Sequence, residues 1–208
     1  HSIPDFAGLM ERSTREVAWF TDSLLKYLEI EFAQPYTQVV DLSRGIAWPH
    51  WCVGARMNIV HNCLDKYLGT PTESRPALIW EGEAGERRSL SYGELHALVC
   101  QAAGGLRGLG LGPGDAIGIF MPMVPEIVVA LLAIAKIGGV ILPLFSGYGP
   151  GAVASRLIDS EAKALFTANG FPRRGSLVPM KPVADEAVAR ASTVKHVIVV
   201  RHVDLEAG

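Results

Sequence analysis

The sequence predicts an α/β fold: a doubly wound, mostly parallel sheet flanked by helices and preceded by a helical N-terminal segment. Three observations carry this reading. Between Gly114 and Val140, GDAIGIFMPMVPEIVVALLAIAKIGGV reads as a strand, a sharp turn and a helix, and another apolar run follows at once. A buried strand, a crossover helix and a second buried strand form a βαβ unit, which requires a parallel sheet. From Ala77 onward strand-like and helix-like runs alternate, as in a doubly wound layer, whereas before that the apolar spacing is helical.

Taken in order, Ser13 with Glu16 resembles a capping box ahead of Val17, Phe20, Leu24, Leu25 and Leu28. Met57, Val60, Leu64 and Leu68 share a helical spacing, so a second helix is predicted over 55–68, stopped by Gly69. TPTESRP then reads as a linker. These elements make 1–75 one helical segment and 76–208 the α/β part. The runs 77–80 and 89–92 flank EGEAGERR as an antiparallel hairpin, and Ser91 with Glu94 caps a helix over 92–109. A strand over 115–120 ends at Pro122, which cannot donate to a ladder. Pro125 and Glu126 suit the first turn of the next helix, where a missing N–H costs nothing and a carboxylate meets the positive dipole end. That helix, almost wholly apolar from Ile127 to Ile137, is expected to be buried on most sides. A strand over 140–144, a helix over 151–160, a strand over 164–167, a loop over 169–179, a helix over 183–191 and a strand over 196–200 complete the order.

Composition excludes several classes. Of 208 residues, 49% are hydrophobic and 19% charged, enough for a sizeable core and unlike a disordered chain. The formal net charge is −2 with no basic block, so neither nucleic acid nor an anionic membrane surface is an expected partner. The apolar run between Glu126 and Lys136 falls far short of the roughly twenty residues a membrane span needs. HSIPDFAGLMERS does not read as a secretory leader. Three cysteines (Cys52, Cys63 and Cys100) are too few and scattered for a disulfide framework or zinc site. Cys63 and Cys100 read as small core residues, and the set fits a reducing, cytoplasmic setting.

The glycine cluster GGLRGLGLGPGD follows a predicted helix and opens a strand, the reverse of a dinucleotide fingerprint. It reads as a helix end and turn. GxxxxGK[ST] and GxSxG are absent, and the histidines lack the spacing of metal ligands, so no metal site and no catalytic group is assigned. Two polar candidates follow strand ends, where open α/β sheets bind ligands. One is FSGYG, whose serine is Ser146 and whose glycines let a backbone approach a ligand. The other is NGFPRRG, where Arg173 and Arg174 offer planar donor forks suited to phosphate.

Several ordered stretches together resemble one family. WPHWCVGARMNIVHNCLDKYL, with Asn58 and the run Asn62 to Asp65, is similar to the N-terminal segment of AMP-forming acyl-CoA synthetases of the acetyl-CoA synthetase type. LSYGELHALVCQAAGGLRGLGLGPGD, IGIFMPMVPEIVVALLAIAKIGGV and the region from LFSGYG to PVADEA resemble successive parts of the same adenylate-forming enzymes. The resemblance covers nearly the whole chain and implies a partial large N-terminal domain of such an enzyme.

Members of that family use ATP and Mg²⁺ to activate a carboxylic acid as an acyl-adenylate, then pass the acyl group to coenzyme A. By match, Phe145, Ser146, Gly147 and Arg173 are the implied coenzyme A contacts. Many relatives carry a second basic residue at the position of Ser176, a departure that leaves Arg174 as the nearest substitute. The family's Thr/Ser/Gly-rich phosphate loop with its lysine, its later ribose- and phosphate-binding residues and its small C-terminal domain are not in this sequence. The chain is therefore expected to be a fragment that forms no adenylate alone and binds no cofactor tightly. The remainder of its own polypeptide is an expected partner, and self-association through uncovered apolar edges is a second. Two other readings stand beside this one: an adenylation enzyme that loads a carrier-protein thiol, and a truncated, non-catalytic binding module.

Overall fold

The structure, a computed structural model, describes residues 3 and 5–204; the end of the HVDLEAG tail lies outside the described residues. Two compact units divide the chain, 1–62 and 63–208.

The first unit begins with α1 (Phe6–Arg15), capped by Asp5, whose Oδ1 accepts the Gly8 N–H at 2.7 Å. It continues with α2 (Val17–Tyr27), β1 (Gln38–Asp41), β2 (His50–Val53) and α3 (Ile59–Cys63). The expected capping box at Ser13 and Glu16 is not formed. Ser13 Oγ instead donates to Met10 O at 2.9 Å, and Arg12 engages the Glu16 carboxylate at 3.0 Å. The antiparallel pair of β1 and β2, with Val40 opposite Trp51, corrects the all-helical expectation for this segment. Strands of four residues are too short to show an alternation.

The helix expected over 55–68 is also shorter. Asn58 Oδ1 accepts the Val60 N–H at 3.0 Å and starts α3 there. Leu64, at φ −143°, breaks it before a 3₁₀ turn over Asp65–Tyr67. Asn62 is buried and works as a backbone mimic: its Nδ2 donates to Glu31 O and its Oδ1 accepts the Glu31 N–H, both at 2.8 Å. Nearby, the Tyr36 hydroxyl donates to the Asp22 carboxylate at 2.5 Å. That carboxylate pushes the phenol up to about 12.

The second unit contains β3 (Pro76–Glu81), β4 (Arg87–Ser91), α4 (Tyr92–Gly108), β5 (Ala116–Phe120), α5 (Pro125–Lys136) and β6 (Val140–Leu144). It continues with α6 (Pro150–Asp159), β7 (Ala164–Ala168), β8 (Gly170–Arg173), β9 (Ser176–Pro179), α7 (Lys181–Val188) and β10 (His196–Val200). The compact units part after Asn62, not at the linker before residue 76. Asp65 explains the shift. Its carboxylate receives Lys136 Nζ of α5 at 2.8 and 2.9 Å, and Tyr67 packs edge-on against Tyr92 of α4.

Four parallel strands form the central sheet in the order β10-β7-β5-β6. Side chains alternate across it. Ile117 and Ile119 of β5 face α4 and α5 with Ala103, Leu106, Ala133 and Ile134. Phe120 and Leu165 face α6 and α7 with Val153, Leu157, Ala184 and Ala187. Each fully buried Leu or Ile contributes roughly 2 kcal/mol by leaving water. Gly118 lies on this second face, where a Cβ would come within 2.8 Å of Leu165 Cδ1 and 3.0 Å of Leu157 Cδ2. The capping box of Ser91 and Glu94 forms as expected, and its bonds hold the Glu94 carboxyl below its ordinary range. The glycine cluster is a helix end and turn, with Gly110 and Gly114 at φ +81° and +83°.

α5 is buried or half-buried at every position but Leu131, which is 41% exposed, because α4 packs beside it and β5 and β6 lie beneath. Two expectations about burial need correction. β6 is an edge strand, which accommodates Pro143 and leaves Val140 exposed. Cys63 is exposed and Cys100 half-buried, so neither is a core residue.

One buried amide fixes the loops beyond the sheet. Asn169, directly after β7, is 1% exposed. Its Oδ1 accepts the His202 N–H at 2.9 Å and its Nδ2 donates to Val203 O at 2.7 Å. Its backbone N–H donates to Val200 O and its carbonyl accepts the Met180 N–H. Replacing Asn169 with Ala removes the side-chain partner of three backbone groups, the N–H groups of His202 and Val203 and the Val203 carbonyl, and is expected to cost about 3 kcal/mol, measured by urea unfolding. A loss of under about 0.5 kcal/mol would show that the loop after β10 is held by other means.

Candidate functional site

The sequence of β5 through β10 dictates where a ligand can sit. β5 connects through α5 to β6 on one side, and the chain then returns to β7 on the other side of β5. At such a switch point the segments leaving adjacent strands diverge to opposite faces and leave a crevice at the carboxyl ends. A cleft of about 300 Å³ occupies this place. Its walls are the residues that follow each strand: Pro122 to Val124 after β5, Phe145 and Ser146 after β6, Phe171 to Arg173 on β8, and His202 after β10. Trp80 to Glu83 of the β3–β4 hairpin close the remaining side.

Two interactions hold that hairpin over the cleft. Trp80 Nε1 donates to Met123 O at 2.7 Å, and Arg88 pairs with Glu126 at the start of α5 at 2.7 Å. The Trp80 ring also meets the His202 ring edge-on, with centroids 6.2 Å apart. The sequence reading missed Trp80 and His202. Their signal was present only in combination: each is unremarkable alone, and only the sheet order makes them neighbours.

NGFPRRG is not the loop expected over 169–179 but the turn of a hairpin formed by β8 and β9. Arg173 pairs with Ser176, and the two residues between, Arg174 and Gly175, have φ of +52° and +75°. Two left-handed residues make a type I′ turn, which matches strand twist. Arg174 bears a cost of roughly 1 kcal/mol there, and its N–H donates to Glu83 Oε1. Arg174 is thus a turn residue, while Arg173 at the end of β8 reaches the cleft wall. The Arg173 guanidinium is exposed and makes no ion pair among the described residues.

Three of the four residues singled out for coenzyme A therefore meet at one cleft: Phe145, Ser146 and Arg173. Phe145 is 65% exposed and contacts Tyr148 edge-on, and Arg156 stacks over Tyr148 at 4.4 Å. Gly147 does not line the cleft. A Cβ on it would lie 2.6 Å from Phe145 Cε1, so the glycine makes room for that ring instead of for a ligand.

Chemically the cleft is a binding surface. It offers apolar walls at Trp80, Val124, Phe145 and Phe171, one free guanidinium and one imidazole. Two carboxylates flank it, but Glu83 accepts from Arg174 and Glu81 pairs with Arg87 at 3.1 Å. Among the described residues no histidine or carboxylate is bonded to Ser146 Oγ, so no activated nucleophile is present. Among them, too, no group of three His, Cys, Asp or Glu is placed to hold a metal ion, and no helix is long and apolar enough to cross a membrane.

Comparison with known proteins gives consistent results. Residues 69–208 match the family model described as AMP-binding enzyme, and residues 6–63 match that of the acetyl-coenzyme A synthetase N-terminus. The chain is 41% identical over 180 residues to an acetyl-coenzyme A synthetase of Mycobacterium tuberculosis, covering 85% of this chain and 28% of that protein. It is 36% identical over 199 residues to a 3-hydroxypropionyl-coenzyme A synthetase of Metallosphaera sedula, covering 94% and 30%. The solved structure of an acetoacetyl-CoA synthetase from Streptomyces lividans superposes with a TM-score of 0.90 at 29% identity, over 100% of this chain and 32% of that one. The chain thus spans about three tenths of the length of these relatives. It belongs to the AMP-binding enzyme family, of the acetyl-coenzyme A synthetase type, and corresponds to the N-terminal portion of such an enzyme.

Proposed function

We propose that the chain is the N-terminal part of an ATP-dependent acyl-CoA synthetase, an acid–thiol ligase that converts a carboxylic acid, ATP and coenzyme A to an acyl-CoA, AMP and pyrophosphate. Its α/β unit is the first part of the AMP-binding domain, and its role in the whole enzyme is to hold coenzyme A in the cleft beyond the sheet. The observation that carries this reading is the convergence of Phe145, Ser146 and Arg173 on one crevice at the switch point. The exposed Phe145 ring offers a stacking face to a purine. The free guanidinium of Arg173 suits a nucleotide phosphate, which it can meet through two parallel N–H donors.

Activation of the acid is assigned to residues outside this chain. The cleft supplies no lysine and no metal ligand set for ATP and Mg²⁺, and stabilising charge at a transferring phosphoryl group needs both kinds of donor. The relatives act, by their names, on short acids that differ in polarity, so the acid proposed here is a short carboxylic acid. The match of residues 6–63 favours coenzyme A over a carrier-protein thiol as acceptor. The proposed setting is the cytoplasm, in keeping with three unpaired cysteines.

In the full-length enzyme, Arg173→Ala is expected to raise the KM for coenzyme A about tenfold, the worth of one charge-assisted contact. The acid-dependent ATP–pyrophosphate exchange should be unchanged. Unaltered coenzyme A kinetics would remove Arg173 from the site. The purified 208-residue chain alone is expected to catalyse no such exchange, and measurable exchange would overturn the division of labour proposed above.

A further inference from the structure

Away from the cleft, one cluster brings a thiol, an imidazole and a carboxylate together. His96 and Cys100 lie one turn apart on α4, on the same helix face. Cys100 Sγ is 3.4 Å from His96 Nε2, within hydrogen-bond range for sulfur. The same Nε2 is 3.5 Å from Asp65 Oδ1. Asp65 is in turn fixed by Lys136 Nζ at 2.8 Å. From the sequence these were unrelated: Cys100 read as a core residue and His96 as an isolated histidine. In the structure Cys100 is only half-buried and the His96 side chain is 25% exposed, so small solutes reach the pair.

We propose that Cys100 is a thiol–disulfide exchange site, with His96 as its base, and that its reaction partner is a small disulfide such as oxidised glutathione. A thiol attacks as its thiolate, so a neighbouring base that takes the proton sets the rate. The Cys100 S–H proton moves to His96 Nε2 while the sulfur attacks one sulfur of the disulfide. The S–S bond of the reagent breaks as a new one forms to Cys100. The departing thiolate then collects the proton from His96, so one disulfide and one thiol give a mixed disulfide and a small thiol. No further oxidant or reductant is required. Asp65 acts as a positioning residue. Once Nε2 carries the proton it faces two anions, the sulfur and the Asp65 carboxylate, and Lys136 holds that carboxylate in place.

Asp65 and Lys136 also tie residues 63–67 to α5. A bulky adduct on Cys100 therefore falls beside this ion pair.

The test is the rate of mixed-disulfide formation with oxidised glutathione, followed peptide by peptide in the mass spectrum of the 208-residue chain. Cys63, exposed and without an imidazole partner among the described residues, is the internal reference. Cys100 is expected to react faster than Cys63 although it is less exposed. His96→Gln is expected to slow Cys100 about tenfold and leave Cys63 unchanged. Asp65→Asn should slow Cys100 by a smaller factor. A near-ultraviolet circular dichroism spectrum like that of the unaltered chain confirms that a variant is folded, and His96→Asn serves if His96→Gln is not. Slower reaction at Cys100 than at Cys63, or equal Cys100 rates with and without His96, would overturn the proposal.

Discussion

The central constraint in this molecule is the burial of β5 on both faces. Its side chains divide, Ile117 and Ile119 to the layer of α4 and α5, Phe120 to the layer of α6 and α7. Gly118 leaves room for Leu165 and Leu157 where a side chain would not fit. A strand so enclosed suits parallel neighbours joined by crossover helices, β5 has one on each side, and parallel strands all end at one edge. The segment after β5 departs to one face and the segment after β7 to the other, so a crevice between them follows from topology alone. Apart from Trp80 to Glu83 of the β3–β4 hairpin, the residues of the cleft are those that happen to follow four strands, and no local motif had to assemble them.

Loops at a sheet edge are otherwise the least constrained parts of a fold. Here each is tied. Asn169 satisfies the backbone on both sides of the β7 and β10 exits, and Trp80 bonds to the turn after β5. Arg174 spends its left-handed conformation on a tight turn that leaves Arg173 at the cleft wall. Glu81 pairs with the Arg87 guanidinium and Glu83 accepts the Arg174 backbone N–H, and the guanidinium of Arg173, with no ion pair among the described residues, is left for a ligand. A pre-formed site of this kind saves the ordering cost of binding.

Much of this could be read from the sequence, and the failures have physical causes. The parallel strands and α5 were visible because continuous apolar runs bounded by proline and glycine have few other folds. The capping box at Ser91 and Glu94 formed, whereas the same pattern at Ser13 and Glu16 did not, since Ser13 lies inside α1 and donates to Met10 O while Arg12 takes the Glu16 carboxylate. The β8–β9 hairpin went unseen because Arg-Gly is not a usual I′ turn pair. The short helix at Ile59 was overextended because apolar spacing continued through a break set by Asn58 and Leu64. The cleft itself was half visible. Phe145, Ser146 and Arg173 were named from strand ends and resemblance, but Trp80 and His202 depend on the strand order, which periodicity does not encode.

The central claim is that coenzyme A occupies the crevice between the exits of β5, β6 and β7. Amide hydrogen exchange of the full-length enzyme with and without coenzyme A tests it most directly. The expected result is slowed exchange, within this chain, at residues 144–148 and at the hairpin of β8 and β9. Slowed exchange elsewhere in the chain with none at those two segments would contradict it.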